Sequence, residues 1–267
     1  MNKYNLKLKS ISKIVVSPRS LKTLYKDVDF EEKDMIKPYL NILEEDKKKI
    51  TVIYPFYNYN NKIEKMIKNP EYYLPGSSVK GVIFFGEKDI RCDDIKLKKE
   101  DIVLDLLHKI IDYDEEKCQK NEKNLKIPKY KVFFENLGVE MINFDREFET
   151  TIVSLKEKDI SKMLKEVNKK TIDKLKKFNI KISKVLNCLK NSEEKAAIDE
   201  LKKISNKIGE KIKEFDNNEK NKIIAFIGGF KGKVGTIYQM KEDTGTGLYF
   251  DNETHLPYGL VEIKISE

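Results

Sequence analysis

Residues 75–80, which read Pro-Gly-Ser-Ser-Val-Lys, combine the residue types of an anion-binding loop. The proline presets the first corner of a turn, and Gly76 beside it tolerates a positive φ. Ser77 and Ser78 are candidate N-cap residues for the short apolar helix that follows. The start of a helix presents free N–H groups and a positive dipole end, which favour a phosphate. Lys80 adds a cation, so the loop predicts either a phosphate site or an ordinary corner between a strand and a helix.

A second glycine-rich segment, residues 228–236, has similar chemistry and reads Gly-Gly-Phe-Lys-Gly-Lys-Val-Gly-Thr. Its glycines let the backbone approach a ligand closely. Lys231 and Lys233 supply cations, and Thr236 supplies a hydroxyl. Neither glycine segment has the Walker A pattern, so we do not expect a nucleotide triphosphatase.

Carboxylates, histidines and cysteines are not arranged for catalysis or metal binding. Asp93 and Asp94 suggest a metal ligand pair or a general base, but a nuclease needs further carboxylates or a positioned base, and no spacing singles these out. His108 lies in the apolar run 102–111, which favours a packing role. The three cysteines lack metal or redox spacing. The sequence therefore predicts no catalytic residue, no metal and no cofactor.

The positive charge is concentrated in one part of the chain. Of 267 residues, 37% are charged and the net charge is +8. Residues 156–222 contain 20 lysines and 12 acidic residues and so account for the whole excess. This favours either a polyanionic partner or a solvated helical surface. No apolar run approaches the roughly 20 residues of a membrane span and the N-terminus does not resemble a signal peptide, so we expect a cytoplasmic protein without membrane contact.

Hydrophobic periodicity predicts strands at both ends of the chain and helices between them. Residues 4–11 alternate at period two, which is typical of a half-buried strand, and residues 14–16 extend it. Further strands are predicted over residues 50–54, 89–94, 130–137, 147–153, 223–227 and after the Pro-x-Gly turn at 257–259. Helices are predicted over residues 31–48, 79–85 and 99–111, and in three apolar runs between 156 and 216.

The first loop supports a specific resemblance. Residues 74–81, Leu-Pro-Gly-Ser-Ser-Val-Lys-Gly, resemble the hallmark loop of the RAMP superfamily, the ferredoxin-like RNA-binding subunits of type III CRISPR effector complexes. In that family the loop follows the first core strands and touches the backbone of the CRISPR RNA. Segment 228–236 resembles the family's C-terminal glycine-rich loop, and the turn at 257–259 resembles that of the subunit that caps the backbone filament. The chain departs from the family at residues 82–85, where an arginine is common and Val-Ile-Phe-Phe stands here.

The resemblance implies an α+β fold with a ferredoxin-like (RRM-like) RAMP core. Residues 1–155 would form most of this core, residues 156–222 a lysine-rich helical insertion, and residues 223–267 the C-terminal strands and glycine-rich loop that complete it. The implied function is non-catalytic binding of CRISPR RNA in a Csm-type complex, capping the backbone near the 3′ end of the RNA, in antiviral defence. The implied partners are CRISPR RNA, other RAMP backbone subunits and, in addition, target RNA. The implied RNA-binding residues are Gly76, Ser77, Ser78, Lys80, Arg19, Lys231, Lys233 and Thr236.

Some of these interpretations have alternatives. Arg19 follows the Ser-Pro segment in which the first strand ends, and it either contacts an RNA phosphate or is solvated. The aromatic segment 55–59 either stacks bases or packs in the interior. The whole chain could instead be a metal-independent endoribonuclease that processes CRISPR precursor RNA, or a structural subunit that acts mainly through protein contacts.

Overall fold

The computed structural model describes residues 1–18, 23–29, 51–60, 62, 69–111, 128–133, 136–190, 192–216, 222–231, 234 and 247–266. Within these residues the chain forms four sheets and three α-helices, which makes the fold α+β. The helix expected over residues 31–48 lies outside the described residues. No helix in the described part of the chain is both long enough and apolar enough to cross a membrane.

The largest sheet has five antiparallel strands with β1 (Asn2–Ser10) at its centre. β1 pairs with β11 (Glu147–Ser154) on one side and with β15 (Leu260–Ser266) on the other. β5 (Ile90–Cys92) pairs with β11, and β12 (Ile223–Phe226) pairs with β15. The strand order is therefore β12-β15-β1-β11-β5.

Helices cover one face of this sheet. Leu6 and Leu8 of β1 are buried between exposed neighbours, as expected for a strand with one face in a core. They share a core cluster with residues of α1 (Gly76–Ile83) and the first turns of α2 (Ile160–Leu189), including Val79 and Leu164. Burying each large apolar side chain contributes about 1.5–3 kcal/mol. This packing fixes the start of α1 relative to the central strands.

The lysine-rich segment forms a pair of long helices. The three apolar runs expected between residues 156 and 216 fold as two helices, because α2 continues without a break across the first two. Asp159 caps α2 by accepting a hydrogen bond from the Lys162 N–H at 2.9 Å. α3 (Lys195–Asp216) packs against α2, and both contribute to a second core cluster with the C-terminal strands.

A second sheet contains β2 (Leu24–Tyr25), β3 (Thr51–Tyr54), β10 (Leu137–Ile142) and β7 (Ile102–Leu106), in the order β2-β3-β10-β7. β3 and β10 are parallel, and the other pairs are antiparallel.

Two further sheets are small. One is antiparallel in the order β14-β13-β8-β9 and contains β8 (His108–Ile111), β9 (Lys129–Val132), β13 (Leu248–Asp251) and β14 (Leu256–Pro257). The other pairs β4 (Tyr73–Leu74) with β6 (Ile95–Lys96).

Two predicted elements differ from the structure. The helix expected over residues 99–111 was wrong: a 3-10 turn at Lys99–Asp101 leads into β7 and β8. All five residues of β7 are buried, and a continuous apolar run of this kind has the same periodicity as a buried helix segment. The extension of the first strand over residues 14–16 was also wrong, since β1 ends at Ser10 and Ile14 forms only an isolated bridge with Ile142.

A buried ion cluster around Lys13 joins three of the sheets. The Lys13 Nζ lies 2.6 Å from Asp105 Oδ2 on β7 and 3.3 Å from Asp251 Oδ1 on β13, and it also contacts Glu253. The Lys13, Asp105 and Asp251 side chains are fully buried. Burial raises the pKa of Asp105 to about 6, although the Lys13 ammonium opposes this rise. Burial lowers the pKa of Lys13, but the carboxylates of Asp251 and Asp105 outweigh it, so its pKa is raised and the ammonium stays charged.

Candidate functional site

A groove of about 950 Å³ lies between the start of α1 and the second glycine segment. It brings together loops that are about 150 residues apart in the sequence, including Ser77, Ser78 and Lys231. Among the described residues that line it, Lys231 is the one charged side chain and none is acidic. The lining residues are Val15, Val16, Ser17, Pro18, Thr23, Ile53, Tyr54, Tyr57, Ser77, Ser78, Gly81, Val82, Gly228, Gly229, Phe230 and Lys231.

The start of α1 differs from the expected arrangement. The helix begins at Gly76 and its N-cap is Pro75, so Ser77 and Ser78 lie in the first turn instead of capping it. Gly76 does not have the positive φ expected for it. A glycine is needed there for another reason, because a Cβ would lie 2.2 Å from the Cys92 carbonyl oxygen. The first loop is thus pressed against β5 of the central sheet.

The backbone donors at this helix start already have acceptors. The Gly76 N–H donates to Asp94 Oδ1 at 2.7 Å, and the Ser78 N–H donates to the Pro75 carbonyl at 2.9 Å. The Ser77 and Ser78 hydroxyls form no hydrogen bond with any described residue, and Ser77 is exposed. These two hydroxyls, more than the first backbone N–H, are therefore free to bind a ligand in the groove.

Asp94 also explains why the aspartate pair does not form a metal site. Its Oδ2 accepts a hydrogen bond from the Tyr59 hydroxyl at 3.2 Å while Oδ1 holds the start of α1. The Asp93 carbonyl accepts a hydrogen bond from the Thr150 hydroxyl at 2.8 Å. Within the described ranges, no group of three or more His, Cys, Asp or Glu side chains could hold a metal ion.

The aromatic segment 55–59 divides between the core and the surface. Phe56 is fully buried, whereas Tyr57 lines the groove and Tyr59 is 45% exposed. Tyr59 stacks on Tyr73 with ring centroids 4.0 Å apart, and Tyr57 meets the same ring edge-on at 5.4 Å. A row of three tyrosine rings therefore leads from the groove to the solvent beside α1.

The second glycine segment is held against the residues that follow β1. The Gly229 N–H donates to the Val15 carbonyl at 2.7 Å. Gly228 has a φ of +87°, and a Cβ there would lie 2.3 Å from the same oxygen. Phe230 also has a positive φ, of 51°, a strain of about 1–3 kcal/mol for a residue with a side chain. Its ring packs against Tyr54 at 5.2 Å, which helps to offset that strain.

Lys231 is a buried cation at the wall of the groove. It is 8% exposed, and its Nζ donates to the Phe226 carbonyl at 3.4 Å. Burial lowers the pKa of Lys231 to about 8, and the charge of Lys174 adds to this effect. No described carboxylate pairs with this ammonium. An anion in the groove would provide the missing counter-charge.

The other proposed RNA contacts are not gathered at the groove. Lys80 is half-buried and is not among the lining residues. It lies towards Cys92, where its charge partly opposes the rise in that thiol's pKa that burial causes. Arg19, Lys233 and Thr236 lie outside the described residues. The structure adds Ser17 and Tyr54, which sequence reasoning missed, although the Ser-Pro segment already pointed to Ser17.

Comparisons with known proteins place few limits on function. No protein-family model matches the sequence, and no curated protein matches it. Among solved structures, the chain is similar to a chain in a cryo-EM structure of a Csm–crRNA–target RNA ternary complex of a type III-A CRISPR–Cas system. That likeness has a TM-score of 0.45 at 10% identity and covers 98% of this chain and 100% of the other. A TM-score of this size is too low to establish a shared fold.

Proposed function

We propose that this chain binds CRISPR RNA without cleaving it, as the subunit of a type III effector complex that caps the backbone filament near the 3′ end of the RNA. The groove carries the proposal. It joins the hallmark-like loop to the glycine-rich segment, presents the free hydroxyls of Ser77 and Ser78, and has Lys231 as the one charge in its described lining. A cationic, hydroxyl-lined groove without carboxylates suits an RNA backbone.

The arrangement of the central sheet supports a ferredoxin-like core. The strands follow the order β15-β1-β11-β5 and all neighbours are antiparallel. α1 connects β1 towards β5, α2 follows β11, and both helices pack on one face. This is the β-α-β-β-α-β connectivity of the split-βαβ motif, with β12 as an added edge strand.

The proposed binding is non-covalent. The hydroxyls of Ser77 and Ser78 donate hydrogen bonds to phosphate oxygens, and the Lys231 ammonium supplies charge from the opposite wall. Tyr57, at the end of the tyrosine row, offers a ring on which a splayed base can stack, worth about 1–3 kcal/mol per base. Such contacts bind a single strand with little dependence on its sequence, as a subunit that accepts many different spacers requires.

A charge placed in the groove tests the proposal. Ser77→Asp puts a carboxylate beside the RNA backbone, so we expect at least about tenfold weaker binding of single-stranded RNA, equivalent to about 1.4 kcal/mol. Ser161→Asp is the matched control, because Ser77 and Ser161 are each the exposed second residue of their helix. Both substitutions gain the same interaction with a helix dipole, so stability should change equally.

The result separates the proposal from its alternatives. Equal affinities for the two variants would overturn the groove as the binding site. Cleavage of a CRISPR repeat hairpin by the parent protein in EDTA would favour the endoribonuclease. A parent protein that binds no RNA but co-purifies with a protein partner would favour the structural subunit.

A further inference from the structure

Lysines form a continuous stripe along α2. Lys170, Lys174, Lys177, Lys181 and Lys184 are spaced four, three, four and three residues apart. At about 100° per residue they fall within an arc of roughly 80° and extend over roughly 21 Å. Every position within that arc between 170 and 184 is a lysine. Asp173, the one acidic residue among them in sequence, falls outside the arc.

Most of these charges are uncompensated. Lys170, Lys174, Lys177 and Lys181 form no ion pair with any residue in the described part of the chain. We call these four residues the lysine stripe. By contrast, three lysines of α3 each pair with a glutamate three residues away. Burial lowers the pKa of Lys174, and the charges of Lys170 and Lys177 lower it further, so the stripe repels itself when no anion is bound.

The stripe begins beside the groove. One turn after Lys174, the ring of Phe178 packs 6.1 Å from that of Phe226 on β12. The Phe226 carbonyl is also the acceptor for Lys231 Nζ at the groove wall. Lys174 is close enough to Lys231 to influence its ionisation. The cationic wall of the groove therefore continues directly onto the outside of α2.

We propose that the lysine stripe is a second RNA-binding surface, which holds the phosphates of the strand where it leaves the groove. This inference rests on the proposed function. An arc that contains only lysines offers charge without the apolar or aromatic anchor found at the centre of most protein interfaces. A regularly charged backbone suits it better than a folded protein surface does.

RNA length and salt dependence test the stripe. We would measure the affinity of the full chain for single-stranded RNAs of 4 and 16 nucleotides across a series of KCl concentrations. The test variant replaces Lys170, Lys174, Lys177 and Lys181 with Gln. The control replaces Lys162, Lys165, Lys169 and Lys176, which lie about 120° round the same helix. Both variants lose four charges from one helix, so only the position of the lost charge differs.

For the 16-nucleotide RNA, we expect the test variant to lower the slope of log K against log[KCl] by up to about 2.8, or about 0.7 per phosphate released. The 4-nucleotide RNA fits within the groove, so its slope should not change. The control should keep the slope of the parent to within about 1 for both RNAs.

The outcomes distinguish the two proposals. If the parent binds both RNAs but the test variant matches the control, the stripe is overturned and the groove stands. If the parent binds neither RNA, the proposed function fails and the stripe fails with it. If polyglutamate of equal charge displaces the 16-nucleotide RNA from the stripe as well as RNA does, an acidic protein is the occupant and the RNA assignment is overturned.

Discussion

The burial of Lys231 predicts that RNA binding depends on pH. Burial first, and then the charge of Lys174, lower the pKa of this ammonium to about 8 in the free protein. A phosphate beside it favours the charged form, so binding must raise that pKa. Linkage then requires affinity to be highest at a pH below the free value, and to fall as the pH rises from the free value to the bound value.

The size of the effect follows from these two values. If a phosphate restores the ordinary lysine pKa of about 10.4, affinity falls roughly 25-fold between pH 7 and pH 9.5. Most of the decrease lies above pH 8. A smaller decrease would mean that the phosphate raises the pKa only part of the way.

Fluorescence anisotropy with an RNA of adenines and cytosines provides the assay, because neither base titrates in this range. Lys231→Arg is the matched variant, since a guanidinium stays charged throughout and its binding should not change with pH. Lys231→Gln has no charge to lose and should also bind independently of pH, but more weakly. Parallel pH profiles for the parent and both variants would refute the assignment of Lys231 to the RNA site.

Two predictions concern stability. Lys13→Met leaves the Asp105 carboxylate buried without its ammonium and should lower the free energy of unfolding by about 3–5 kcal/mol. Loss of the ammonium raises the pKa of Asp105 further, so folding takes up protons and urea unfolding should show a greater loss at pH 8 than at pH 5; equal losses would contradict this. Gly228→Ala should destabilise the fold by about 1–3 kcal/mol, because its φ is positive and its Cβ would meet the Val15 carbonyl. Gly81→Ala, in a helix with open space, should be neutral or stabilising by up to about 1 kcal/mol, and similar losses for both glycines would count against the geometry.

Local patterns were sufficient to predict the regular elements of the core. The alternation over residues 4–11 corresponds to β1, in which Leu6 and Leu8 are buried. The three- and four-residue spacing of apolar residues corresponds to α2, with Leu164 and Phe178 on its buried face. In both cases the signal lies within a single element, so nearby residues contain it.

The errors arose where distant parts of the chain decide the structure. The run that forms β7 is buried because β10 pairs with it and Lys13 neutralises Asp105, and neither contact is visible in a short window. Gly76 was correctly singled out for the wrong reason, because its close approach to Cys92 depends on how the first loop meets β5.

Part of the candidate site could also be read from sequence. Ser77, Ser78 and Lys231 were proposed as RNA contacts from their motifs, and the structure places all three around one groove. The lack of an ion pair at Lys231, the occupation of the Gly76 N–H by Asp94 and the turning of Lys80 towards Cys92 depend on tertiary packing. Whether these residues bind RNA stays a prediction.

The central claim is tested most directly by purifying the tagged chain from its native host at moderate salt and sequencing the RNA and identifying the proteins that come with it. The account predicts CRISPR RNAs of defined length together with other backbone subunits of a type III complex. The Ser77→Asp variant should recover less of this RNA than the Ser161→Asp variant does. A parent chain that emerges as a monomer free of RNA would contradict the account.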